Sequence, residues 1–144
     1  MRIYIFALNE VFDTGLSTVL DTFSIANDLA LAESAGTPSI HFEITVVGVR
    51  RRVQTSQGLS VRVVLAARLA QPDVVLIPAL GAKMPETLQA ALERRDVADA
   101  GELLRQWSEG GALVSAACTG TFVLANTSLL NGQSATTSWW LAPL

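Results

Sequence analysis

The apolar residues of the chain fall into short runs, and turn or helix signals separate one run from the next. Most of these runs are rich in β-branched side chains, which is typical of strands buried in a sheet. The pattern predicts strands at residues 2–8, 41–49, 72–80 and 112–117. The run PDVVLIPAL at 72–80 is strongly β-branched and apolar, and we expect it to be a central strand covered on both faces.

Helix signals occupy the stretches between the runs. Proline suits the first position of a helix, and glycine is favoured just past its end. We expect one helix from Ser17 or Thr18 to Gly36 with Pro38 beyond it, a second over 85–96 behind Pro85, and a third over 97–111 that ends in paired glycines. Residues 53–64 hold two short alternating pieces around Gln57-Gly58, which predicts a hairpin appended to the main sheet.

Alternating strands and helices with right-handed crossovers predict an α/β fold, a three-layer sandwich with a mostly parallel central sheet. Ligands bind such sheets at the carboxyl ends of the strands. The loops at 9–14 and 79–83 and the turn at Cys118 and Thr119 would share that edge. We therefore expect a crevice formed by these three segments.

Composition excludes several classes of partner. The chain has 10 basic and 13 acidic residues and a net charge of −3, which argues against this chain alone gripping DNA. Arg50, Arg51 and Arg52 form its one tight basic cluster, and a solvated loop is favoured there over a nucleic-acid contact. We find no membrane-spanning run and no signal peptide, so a cytoplasmic location is expected.

The single cysteine, Cys118, follows the run ALVSAA and precedes a predicted helix that stops at Asn131-Gly132. Backbone amides at a strand-to-helix turn stabilise negative charge, so this position can favour a thiolate. An efficient nucleophile also needs a base within reach and a group that orients the base. The one histidine, His41, lies at the amino end of a predicted strand, away from the edge where functional groups gather.

Three stretches carry a resemblance to a known family. The turn Cys118-Thr119-Gly120 is followed by Leu-Leu-Asn-Gly at 129–132 and by Ala-Thr-Thr-x-Trp at 135–139. Together they resemble the ThiJ/PfpI branch of the class I glutamine amidotransferase-like superfamily, which implies a flavodoxin-like sheet. The stretches 6–28 and 73–81 are similar to the amino-terminal domains of AraC-family transcriptional regulators.

Two departures from the pattern bear on catalysis. Enzymes of this superfamily place a histidine after the Ala-Thr-Thr run, where this chain has Ser138. Catalytic members of the branch also carry a carboxylate six residues before the aspartate of the first helix, and counting back from Asp21 gives Gly15. A hydroxyl cannot act as a base at neutral pH as an imidazole does. We therefore expect no catalytic residues and a thiol of moderate reactivity.

The resemblance implies that residues 1–144 are an incomplete ligand-sensing domain of a homodimeric regulator, with a helix-turn-helix module beyond residue 144 that binds DNA. We expect a small polar metabolite, bearing an amine or a carboxylate, and neither a cofactor nor a metal. The predicted ligand-binding residues are Asp13, Thr14, Gly81, Cys118, Thr119 and Ser138. Trp139 and Trp140 could line that pocket, form an interface or pack the sheet edge.

Two other functions remain open at this point. One is a ThiJ/PfpI-type cysteine enzyme, such as a hydratase, an amidase or a glyoxalase-like lyase. The other is a chaperone-like or redox-responsive dimer.

Overall fold

The computed structural model describes residues 1–33 and 40–144. Its strands are β1 Arg2–Phe6, β2 Glu43–Gly48, β3 Arg52–Gln54, β4 Ser60–Arg62, β5 Val64–Leu65, β6 Val74–Ile77 and β7 Leu113–Ala116. Its α-helices are α1 Asp13–Glu33, α2 Pro85–Leu92, α3 Arg95–Glu109 and α4 Gly120–Ala125, and a 3₁₀ turn spans Ala66–Arg68.

Five strands form one parallel sheet in the order β5-β2-β1-β6-β7. Side chains of a strand alternate between the two faces, and β1 shows this clearly. Ile3 and Ile5 pack with α1, whereas Tyr4 and Phe6 meet Trp107 of α3 edge to face. The predicted α/β class with a mostly parallel central sheet is therefore confirmed.

The predicted run at 72–80 is a central strand, although a shorter one. It is paired on both sides as β6, between β1 and β7. The strand ends at Ile77 because Pro78 has no amide hydrogen for the ladder. The other predicted strands are shorter by one or two residues at their ends.

The sequence misplaced the start of the first helix. The helix α1 begins at Asp13, and Ser17 lies inside it with its hydroxyl donating to the Asp13 carbonyl. Ser17 and Thr18 are therefore not its caps. The predicted end at Gly36, with Pro38, lies outside the described residues.

The sequence predicted the hairpin but not the strand that follows it. β3 and β4 pair as an antiparallel sheet of their own, and the chain then returns to the main sheet as β5. β5 spans two residues, which is too short for a periodic pattern to show.

The last helix is shorter than the sequence predicted. α4 ends at Ala125 rather than at Asn131-Gly132, because the Thr127 hydroxyl donates to the Leu124 carbonyl and Ser128 turns the chain with a φ of 65°.

One carboxylate ties the hairpin to α1. Asp13 Oδ2 accepts hydrogen bonds from the Ser56 hydroxyl at 2.8 Å and from the Gln57 amide at 3.1 Å. The pKa of Asp13 is lowered, with the Thr55 hydroxyl as the largest cause, although the buried Oδ1 atom has no hydrogen-bond partner of ordinary geometry among the described residues. Partial burial opposes the shift, and the bonds from Ser56 and Gln57 add to it.

Among the helices that the structure describes, none combines the length and apolar character that crossing a bilayer needs.

The lowered pKa of Asp13 predicts a loss of stability in acid. A depressed carboxyl pKa stabilises the fold above the unfolded-state pKa of about 4, and this contribution is lost as the pH falls through the folded-state value. Asp13→Asn should therefore lower the free energy of unfolding at pH 7, and the difference from the parent should shrink below about pH 4. Urea unfolding at several pH values measures this difference.

Asp21→Asn is the matched control, because it removes an exposed carboxylate from the same helix without touching the hairpin. It should cost less stability at pH 7 than Asp13→Asn. An Asp13→Asn variant that is as stable as this control would show that the bonds between Asp13 and the hairpin contribute nothing to stability.

Candidate functional site

Cys118 lies on a sharp turn between β7 and α4 at the carboxyl edge of the sheet. Its backbone φ is 52°, in the left-handed region, which costs a non-glycine residue about 1–2 kcal/mol. Its side chain is exposed. Backbone strain of this kind is common at functional sites, and here it accompanies an exposed thiol at the edge of the sheet.

Gly120 makes this turn possible. A Cβ atom at position 120 would lie 2.6 Å from the Ile77 carbonyl oxygen and 2.7 Å from that of Pro78. No side chain fits there, so only glycine lets α4 start this close to the end of β6. The Thr119 hydroxyl, which is buried, donates to the Leu80 carbonyl at 2.8 Å and fixes the turn to the loop after β6.

The segment after α4 crosses over the turn. Thr137 donates to the Cys118 carbonyl at 3.1 Å, and Thr121 donates to the Thr136 carbonyl at 3.0 Å. These bonds bring Ser138 to the thiol, with 2.9 Å between Cys118 Sγ and Ser138 Oγ. The matched histidine position thus does face the cysteine, and it presents a hydroxyl that cannot act as a base.

No histidine or carboxylate among the described residues hydrogen-bonds to this thiol. The His41 carbonyl accepts a bond from the amino-terminal ammonium, at the amino edge of the sheet and opposite to Cys118, as its sequence position predicted. Gly15 lies against Phe12 and Ala79, so the matched acidic position does adjoin the loop after β6 but carries no side chain.

Two carboxylates near the loop after β1, Glu10 in that loop and Asp96 in α3, are engaged elsewhere. Arg94 pairs with Glu10 at 2.6 Å and with Asp96 at 3.0 Å, and Asp96 also accepts the Asn9 amide. This network ties the loop to the start of α3. It leaves neither carboxylate directed at Cys118.

The turn can still hold an anion. The amides of Cys118 and Thr119 donate to no acceptor within the described ranges 1–33 and 40–144. Lys83 lies over the Phe12 ring at 5.3 Å, and its carbonyl accepts the Trp140 indole N–H at 2.8 Å. The two free amides suit an anionic ligand such as a carboxylate, and the bond from Trp140 joins the segment after Ser138 to the loop after β6.

Five of the six predicted ligand residues fall into two groups. Cys118 and Thr119 form the turn, and Ser138 faces it from the segment after α4. Asp13 and Gly81 both meet Ser56 instead, since a Cβ at Gly81 would lie 2.3 Å from Ser56 Cβ.

The two groups differ in what they offer a ligand. The Gly81 amide is taken by the Glu10 carbonyl, and Asp13 Oδ2 is taken by the hairpin, whereas its buried Oδ1 has no hydrogen-bond partner among the described residues. Thr14 is exposed in the first turn of α1. Ligand binding by the six stays a prediction, with Cys118 and Ser138 as the members whose side chains are both accessible and adjacent.

Residues that the sequence did not single out complete the surroundings. Thr137 and Thr121 fasten the segment after α4, and the Ala-Thr-Thr run was the available signal for the first of them. A cavity of about 490 Å³ opens behind this segment and is partly lined by Thr121, Phe122, Thr136 and Thr137. Its size suits a small metabolite.

No group of three or more potential ligands that could hold a metal ion occurs in the part of the chain that the structure describes.

Comparison with known proteins agrees with this fold. Residues 1–143 match the model of the DJ-1/PfpI family. No curated protein sequence matches the chain.

Three solved structures are similar. A protein described as candidate protease I from Bacteroides thetaiotaomicron has a TM-score of 0.70 and 18% identity, over 99% of this chain and 76% of its own. A protein described as a candidate transcriptional regulator from Vibrio parahaemolyticus has a TM-score of 0.74 and 19% identity, over 99% of this chain and 69% of its own. An AraC family transcriptional regulator from Pseudomonas putida has a TM-score of 0.67 and 18% identity, over 92% of this chain and 63% of its own.

At these identities the similarity to solved structures establishes the fold. The family model covers nearly the whole chain, residues 1–143 of 144. The chain belongs to the DJ-1/PfpI family.

Proposed function

We propose that this chain is the effector-sensing domain of an AraC-type transcriptional regulator, and that its cysteine turn binds a small polar metabolite without catalysis. The observation that carries the proposal is the 2.9 Å contact between Cys118 Sγ and Ser138 Oγ. This contact occupies the position from which a base would act, and it supplies a hydroxyl in place of an imidazole. The turn amides then serve as donors to a bound ligand.

Two of the similar structures support the regulatory part of the proposal, since one is an AraC family regulator and another is described as a candidate regulator. DNA contact would be made by a separate helix-turn-helix module of the same protein. A dimer would match the two-fold symmetry of an operator with two half-sites.

A cysteine enzyme is the second candidate, and the strained, exposed position of Cys118 favours it. Such a mechanism needs a base for the thiol. The two matched positions carry Ser138 and Gly15, so neither can supply one.

Ser138→His should raise the reactivity of the thiol. Because the side chain at position 138 already reaches Cys118 Sγ, an imidazole there can take the thiol proton or pair with the thiolate. We expect the rate of alkylation by iodoacetamide at pH 7 to rise about tenfold or more over the parent. Mass spectrometry of the singly alkylated chain gives the rate, and Cys118→Ser is the blank, since the chain has one cysteine.

Ser138→Ala is the matched control. It should change the alkylation rate by less than about tenfold, because the Ser138 hydroxyl does not act as a base for the thiol proton. If the parent alkylates as fast as Ser138→His, the thiol is already activated by another group. The sensor proposal would then lose its main support.

Ligand binding at the turn predicts a position-specific loss of thermal stabilisation. We expect a panel of small carboxylates and amines to contain a compound that raises the melting temperature of the parent, since a ligand that binds only the folded state stabilises it. Ser138→Phe should abolish that rise, because the ring would fill the space in front of Cys118. Ser134→Phe, an exposed position in the same segment, is the control and should keep it.

Thr119 is unsuitable for this test, because its buried side chain holds the turn and a larger one would disturb folding. A compound whose effect survives Ser138→Phe binds elsewhere, and the assignment of the site would be wrong.

A further inference from the structure

Four arginines line one depression at the other edge of the sheet. It has a volume of about 450 Å³, and its lining consists of Arg51, Arg52, Arg62 and Arg68 together with Val63, Val64 and Leu65. Arg50 and Arg51 lie in a bend, as the sequence suggested, whereas Arg52 belongs to β3 and is not part of a loop. Four of the chain's ten basic residues therefore meet at one place in a protein of net charge −3.

These charges lack counter-charges among the described residues. The salt bridges found there join Arg94 to Glu10 and Asp96, and Arg105 to Glu102, so none involves the four arginines of the depression. None of the four guanidinium groups donates a hydrogen bond to a described acceptor. Their donors are therefore available to a ligand.

Two of the arginines are placed unfavourably for the fold itself. Arg52 and Arg62 are direct cross-strand partners in the hairpin of β3 and β4. Like charges directly opposite each other destabilise an antiparallel pair. An anion bound between the two guanidinium groups would replace this repulsion with attraction. Anion binding therefore accounts for a pair that packing alone does not explain.

The shape of the site favours a small ligand over a nucleic acid. The depression is concave, and its volume lies within the range of small-molecule sites. Two of the remaining basic residues, Arg94 and Arg105, are paired with carboxylates and do not add free charge to it. Duplex DNA would need a longer row of phosphate contacts.

The site is separate from the cysteine turn. β5, which supplies Val64 and Leu65, is one edge of the sheet, and β7, which leads to Cys118, is the other. Four strand spacings of about 4.8 Å separate them.

From the cluster, its missing counter-charges and its shape, we infer that this depression binds a small phosphorylated metabolite. The guanidinium forks of Arg52 and Arg62 would hold its phosphate or diphosphate, and Val63, Val64 and Leu65 would contact its uncharged part. Guanidinium matches phosphate oxygens in geometry and charge, and four such groups suit a multiply charged anion better than a single carboxylate. The inference does not depend on the function proposed for Cys118.

Inorganic pyrophosphate is the probe, measured by calorimetry on the 144-residue chain at constant ionic strength. We expect saturable binding that weakens about tenfold or more in Arg52→Gln/Arg62→Gln, since each charge-assisted hydrogen bond lost costs about tenfold. The matched control is Arg95→Gln/Arg105→Gln, which removes the same charge from α3 and should bind as the parent does. Without ligand, the first variant should be at least as stable as the parent, because its cross-strand repulsion is gone.

Three outcomes would overturn the inference. One is the absence of saturable pyrophosphate binding by the parent. Another is equal weakening in both double variants, which would mean that net charge alone attracts the anion. The third is a 30-base-pair duplex that binds through the same arginines while pyrophosphate does not, which would assign the depression to nucleic-acid phosphates.

Discussion

The close approach of Gly120 to the backbone of β6 is the constraint on which the site depends. A side chain there would collide with two carbonyl oxygens, so the start of α4 is pressed against the sheet. The turn before it must then bend sharply, and Cys118 takes a positive φ that exposes its thiol. The buried hydrogen bond from the Thr119 hydroxyl to the Leu80 carbonyl fixes the same turn to the loop after β6. This geometry is built by backbone packing and does not require catalytic partners.

The turn can therefore form whether or not a base or a carboxylate faces the thiol. The segment after α4 still delivers a side chain to 2.9 Å from the thiol, but the side chain is the hydroxyl of Ser138. The acidic position is Gly15, and the nearby carboxylates Glu10 and Asp96 serve an ion-pair network with Arg94. The turn therefore presents an exposed thiol and two free amides, which suit the ligand recognition that we propose.

Local signals predicted most of the fold and only part of the site. Apolar runs and glycine or proline punctuation located the main strands and the cysteine turn, because those features depend on neighbours in sequence. β5 is too short to leave a pattern, and the start of α1 at Asp13 depends on bonds to a hairpin more than forty residues away. The same distant contacts draw Asp13 and Gly81 toward Ser56, which no spacing rule could foresee. The unpaired arginines likewise became a cluster only when β3, β4 and the 3₁₀ turn were folded together.

The central claim is that the chain keeps a binding turn without cysteine catalysis. Steady-state turnover of a glyoxal and of a primary amide by the purified chain, with Cys118→Ser as the blank, tests it most directly. The account predicts the same background rate for both proteins, because the thiol contacts the Ser138 hydroxyl and no histidine or carboxylate among the described residues hydrogen-bonds to it. Cys118-dependent turnover in the ordinary enzyme range, about 1 per second or faster, would contradict it.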